Sequence, residues 1–206
     1  MPDVHEIPPE LASHPDRLRW NARYEAGAGA GAGALFRPHP LAELALTLAL
    51  PDGPVLDLAS GPSGSALLAA AAGRQVTAVD ISEVALGALA AEAERRGLGD
   101  LLSLVHADLA SWHPRPGGYS LVMCTGYWNR SVFAAAADAV TPGGLIAWEA
   151  FTADALTTRP GLCAEWCLAS GEPTALLPAG FTVLSQSEQP DDQHGARRRL
   201  LARRAP

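Results

Sequence analysis

Three aspartates and one turn of small residues form the pattern in this chain best able to do chemistry. Asp57 opens the run Asp57-Leu58-Ala59-Ser60-Gly61-Pro62-Ser63-Gly64, Asp80 closes Val76-Thr77-Ala78-Val79-Asp80, and Asp108 stands in Ala107-Asp108-Leu109. Asp80 lies 23 residues after Asp57, and Asp108 lies 28 residues further on. A carboxylate accepts two hydrogen bonds side by side, which matches the two hydroxyls of a ribose; a second acid nearby suits an exocyclic amino group. Small residues let backbone approach a ligand, and a helix beginning there offers free N–H groups. Together these groups could grip a nucleoside with a charged tail.

For the acids to converge, each must end a strand of one parallel sheet, because the ligand crevice of such a sheet lies beyond the carboxyl ends of its strands. The hydrophobic pattern provides this. Apolar strands at 55–59, 76–81, 101–106, 121–125 and 144–151 alternate with helices at 65–72, 83–96 and 131–140, which predicts an α/β sheet covered on both faces. The segments 181–185 and 199–202 read as the last two strands, joined as a hairpin. Upstream, Trp20 and Tyr24 are four apart, on one face of a helix around 18–24. Residues 26–34 alternate Ala and Gly and read as a loose connector, and a short apolar helix opens at Pro40-Leu41 and stops near Pro51-Asp52-Gly53. The expected division is an N-terminal helical segment with a flexible Ala/Gly linker over 1–40, followed by one domain over 41–206.

Composition removes several classes. The 206 residues are 48% hydrophobic and 18% charged, a globular balance, and no apolar run approaches the roughly 20 residues of a membrane span. The first twenty residues hold Asp3, Glu6, Glu10 and Asp16 without a secretory apolar segment, so a cytoplasmic protein is expected. A net charge of −7 argues against nucleic acid as partner. All fifteen basic residues are Arg, which excludes a Schiff-base lysine and a phosphate-loop lysine. Cys124, Cys163 and Cys167 are too few for a disulfide framework, and no His or Cys cluster completes a metal site around the last two. The partner expected is a small molecule, with the chain a monomer or homodimer.

With its acids and turns in this order, the chain resembles the class I S-adenosylmethionine-dependent methyltransferase superfamily over roughly residues 55–151. The resemblance implies a Rossmann-like, doubly wound, mostly parallel seven-stranded sheet with the last strand antiparallel. It implies S-adenosyl-L-methionine as cofactor, contacted by Asp57, Ala59, Ser60, Gly61, Asp80, Ile81, Asp108, Leu109 and Cys124; Trp20 and Tyr24, an aromatic wall suited to a sulfonium, are the candidate lid on it. Tyr127, Trp128, Asn129 and Arg130, after the fourth strand, are the candidate acceptor contacts. Arg19-Trp20-Asn21-Ala22-Arg23-Tyr24, the segment 76–82 and Pro142-Gly143-Gly144 are similar to the tellurite-resistance and thiopurine methyltransferase-like group. The chain departs from the family at Ala59, where the first motif glycine falls, at Ser63, and at Asn129, where some relatives carry a histidine. No catalytic base is therefore assigned, and a soft or already activated nucleophile is the expected acceptor.

Each assignment has a structural counterpart. Asp57 could cap the strand end, Ser82 is a ready N-cap after Asp80, and Trp20 and Tyr24 could simply dock their helix. Arg197 to Arg199 with Arg203 and Arg204 read as charges that keep an edge strand soluble. Three rival functions remain: a noncatalytic S-adenosylmethionine-binding or regulatory protein, an NAD(P)-dependent oxidoreductase lacking its first glycine, and a serine hydrolase built on Ser63.

Overall fold

The computed structural model describes residues 7–27, 36–191 and 193–206; most of the Ala/Gly stretch at 26–34 lies outside them. The central strands are short and apolar because both their faces are covered. Strand β1 (Val55–Leu58) is buried at every position, and β4 (Tyr119–Thr125) at all but its ends. β1 pairs in parallel with β4 on one side and with β2 (Val76–Asp80) on the other, and β2 pairs in parallel with β3 (Leu102–His106). β5 (Val140–Phe151) pairs in parallel with β4. The seven strands run in the order β3-β2-β1-β4-β5-β7-β6. β7 (Arg197–Arg204) is antiparallel to both neighbours, β5 and β6 (Phe181–Gln189). The predicted α/β sheet with a reversed last strand is the observed one. A dinucleotide fold carries its strands as 3-2-1-4-5-6, so the inserted β7 separates this sheet from the oxidoreductase alternative.

Alternation along each strand divides the core in two. Val55, Leu121 and Met123 face one way, against helices α2 (Pro40–Thr47), α3 (Gly64–Ala71) and α4 (Glu83–Arg95). Leu56, Leu58 and Val122 face the other way, against α5 (Arg130–Ala139) and an aromatic trio of Trp128, Phe133 and Trp148. Phe133 and Trp148 meet edge to face at 5.1 Å, an arrangement that contributes about 1 kcal/mol beyond area burial. The N-terminal helix α1 (Pro15–Gly27) buries only Arg17. No described helix is long and apolar enough to cross a membrane.

Several sequence expectations need correction. β5 begins at Val140 rather than at 144, and Thr141 to Gly144 form an irregularity within the strand, with Gly143 at φ +76°. The last two strands are longer than 181–185 and 199–202. The arginines of β7 lie on an interior strand, and β6 forms the edge. Arg203 donates to the carbonyls of Ala49 and Gly143, and Arg204 to those of Asp138 and Val140. These side chains therefore tie the strand to the helical layer. Cys163 and Cys167 flank a 3-10 turn at Ala164–Trp166.

Candidate active site

Strand ends position the acids as the sheet requires. β1 stops because Ala59 turns into the left-handed region at φ +49°, where an L residue is strained, and Gly61 follows at φ +57°. Ser63 N-caps α3, its hydroxyl accepting from Ala66 N at 2.9 Å and donating to Asp57 at 2.5 Å. Asp57 thus braces the turn from beneath. Burial, the largest cause, pushes its carboxyl up to about 7. The hydroxyl of Ser63 is spent on the cap, which leaves no nucleophile for the hydrolase alternative. At Gly64, an added Cβ would stand 2.3 Å from Phe36 O, so this glycine admits a crossing of the chain.

Asp80 is also buried. Its Oδ2 accepts from Gly61 N and its Oδ1 from Ser82 N, each at 2.8 Å, which locks the β1 turn to the end of β2. Burial pushes its carboxyl up to about 6, despite the hydrogen bonds from Gly61 and Ser82. Asp108, half-buried, accepts from Ala110 N at 3.0 Å and has His14 Nε2 at 3.9 Å.

A cavity of about 690 Å³ opens beyond these strand ends, within the range of small-molecule and cofactor sites. Ala59, Asp80, Ile81, Asp108 and Leu109 line one side, and Trp20 and Tyr24 of α1 cover it. The Trp20 and Tyr24 rings stack at 5.9 Å, and an added Cβ on Gly61 would stand 2.7 Å from the Tyr24 hydroxyl. The helix therefore rests on the glycine turn. Tyr127 and Trp128, after β4, line the far side.

Other predicted residues lie outside the lining. Asp57, Ser60 and Gly61 form the layer beneath it, and Cys124 is buried in β4, its Sγ 3.7 Å from Tyr127 O. Asn129 N-caps α5, accepting from Ser131 N and Val132 N, and Arg130 pairs with Glu172.

Several residues of the site carry little sequence signal. Arg17 and Asn21, four apart beside Trp20 and Tyr24, bind Glu83 at the first turn of α4: Arg17 Nε donates to Oε2 and Asn21 Nδ2 to Oε1, each at 2.9 Å. Ser82, which N-caps α4, donates to Asn21 Oδ1 at 2.6 Å. The same i,i+4 spacing that exposed the aromatic pair could have exposed this polar one. Phe151, Arg159, Trp166 and Arg197 complete the cavity from β5, the segment after it, and the start of β7. They are distant in sequence, and only the fold assembles them.

A parallel sheet with one inserted antiparallel strand, acids at successive strand ends and a cavity beyond them define a Rossmann-like methyltransferase fold. Residues 55–144 match the methyltransferase domain family. Magnesium protoporphyrin IX methyltransferase from Synechocystis PCC 6803, solved with S-adenosylhomocysteine, is similar over 92% of this chain and 98% of its own, at 18% identity and TM-score 0.68. The 1,6-didemethyltoxoflavin-N1-methyltransferase of Burkholderia thailandensis covers 92% and 87% at 19% identity and TM-score 0.66. A [4+2]-cyclase, SpnF, covers 80% of both chains at 16% identity and TM-score 0.61. At these identities the likeness is one of fold. No curated protein matches the sequence.

The residues fit the cofactor. A carboxylate has about four acceptor positions, and the backbone occupies two on Asp80, which leaves two for a ribose diol. A buried acid held above its ordinary value at a cavity wall is stabilised when hydroxyls donate to it.

Proposed function

We propose that the protein transfers a methyl group from S-adenosylmethionine to a small-molecule acceptor held between the ends of β4 and β5 and the segment that follows β5. The observation that carries this reading is that Asp80 and Asp108 line one cavity beneath Trp20 and Tyr24, with room left on its far side. Asp80 accepts the ribose hydroxyls, Asp108 and Leu109 face the adenine, and Asp57 holds the glycine turn in shape. The aromatic pair of α1 covers the sulfonium side, where a π face attracts a cation. The N-terminal segment thus acts as a lid on the domain over 41–206.

When bound, the cofactor supplies a methyl on positively charged sulfur; the acceptor's lone pair forms the new bond as the carbon–sulfur bond breaks and its electrons return to sulfur. The protein's part is to hold the two reactants in line in a dry site. No histidine lines the cavity among the described residues. Burial holds the Tyr24 phenol far above its ordinary value and pushes Tyr127 up to about 12, so both stay protonated and neither is a ready base. This favours an acceptor that is soft or already ionised. Placement in the tellurite-resistance and thiopurine methyltransferase-like group belongs to the same reading and rests on the motifs around Trp20, Asp80 and Gly143.

The test is incubation with methyl-labelled cofactor and a metabolite extract, followed by mass spectrometry. A labelled small molecule and S-adenosylhomocysteine should appear together. Tight cofactor binding without any labelled product would instead favour a noncatalytic binding protein.

A further inference from the structure

The charges around the cavity are uneven. Asp80 and Asp108 lie at the β2 and β3 ends, and Asp16, the third acid in the lining, is paired with Arg19 at 3.0 Å. The opposite wall offers only cations. The guanidinium carbons of Arg159 and Arg197 lie 4.8 and 4.4 Å from the centroid of one ring, Phe151. Arg19 lies 4.4 Å over Trp166 on the same side. Glu149 is shared by Arg197, Arg199 and His39, so it does not neutralise Arg197 alone. Arg159 donates to His194 O at 3.3 Å, and no carboxylate of the described residues lies within ion-pair distance of it. Trp128, buried and part of the lining, has an indole N–H without an acceptor among the described residues.

Two like charges held on one ring repel each other, and an anion between them relieves that repulsion. A guanidinium laid on an aromatic face still presents its N–H edge, the geometry that takes carboxylate or phosphate bidentately. All this occurs in a chain of net charge −7, so the cationic wall is a local feature rather than a reflection of overall charge.

We propose that the acceptor bears an anionic group, carboxylate or phosphate, held by Arg159 and Arg197 at the wall that Phe151 and Trp166 help to form. The proposal rests on the cavity being the methyltransferase site and adds the acceptor's chemical class. The atom that takes the methyl lies elsewhere on the molecule or is the anion itself; the arginines fix only its anchor.

The test is calorimetric titration of the whole protein with 2-naphthoate, 2-naphthyl phosphate and the neutral 2-naphthamide, in the absence and presence of S-adenosylhomocysteine. At least one anion should bind about ten-fold or more tightly than the amide, as expected when a charged hydrogen-bond partner is lost. Which anion binds tighter identifies the group. The preference should collapse in an Arg159→Gln, Arg197→Gln double variant, and in Arg159→Gln alone if the double variant does not fold. Equal binding of the amide, or a preference that survives these changes, overturns the proposal. Failure of S-adenosylhomocysteine to bind overturns the methyltransferase reading instead, and the anion titration without it is still decisive.

Discussion

Asp80 shows how one side chain can serve two equilibria in opposite directions. Burial holds it at about 6 and Asp57 at about 7, against an ordinary 3.8, so the folded chain keeps protons that the unfolded chain has released. Their contribution to stability is present at low pH and falls as pH rises from about 4 to about 7. Ribose hydroxyls donate to the ionised form, so S-adenosylhomocysteine should bind more tightly as pH rises through about 6, releasing a proton. Calorimetry in buffers of differing ionisation enthalpy would detect that proton; a pH-independent affinity would refute the role. Ala59, at φ +49°, stores strain that a glycine would avoid. Ala59→Gly should raise stability by about 0.5–1 kcal/mol, read as a higher denaturant midpoint.

Helix α1 is held by polar contacts rather than by a buried apolar face. Arg17 bonds Glu83 and the carbonyl of Ala12, while Asn21 links Glu83 to Ser82, two residues after Asp80. The helix that we propose as a lid is therefore anchored to the same turn that carries Asp80, the proposed ribose acid. Arg17→Ala should speed amide exchange across 15–27 and weaken S-adenosylhomocysteine binding by about ten-fold, with little change in global melting. An unchanged affinity would show that α1 serves only as packing. This device was half legible. Trp20 and Tyr24 stand out as aromatics at helical spacing, but Arg17 and Asn21 are ordinary residues for a solvated helix, and only the partner at Glu83 makes them anchors.

At the scale of the molecule, the parallel strands and their terminal acids were readable because local periodicity and motif spacing encode them. The cationic wall was not. Phe151, Arg159, Trp166 and Arg197 come from separate segments, and the arginines of β7 look like protection for an edge until the strand is seen to insert between β5 and β6. That insertion has a consequence for biosynthesis. Ribosomes deliver the chain from its amino end, so the residues we propose to hold the nucleoside, Asp80, Asp108 and Leu109, emerge long before Arg197. On the reading proposed above, the side chains for the methyl donor would be made before the wall that selects a recipient, and selectivity would arrive only when the reversed strand zips into place.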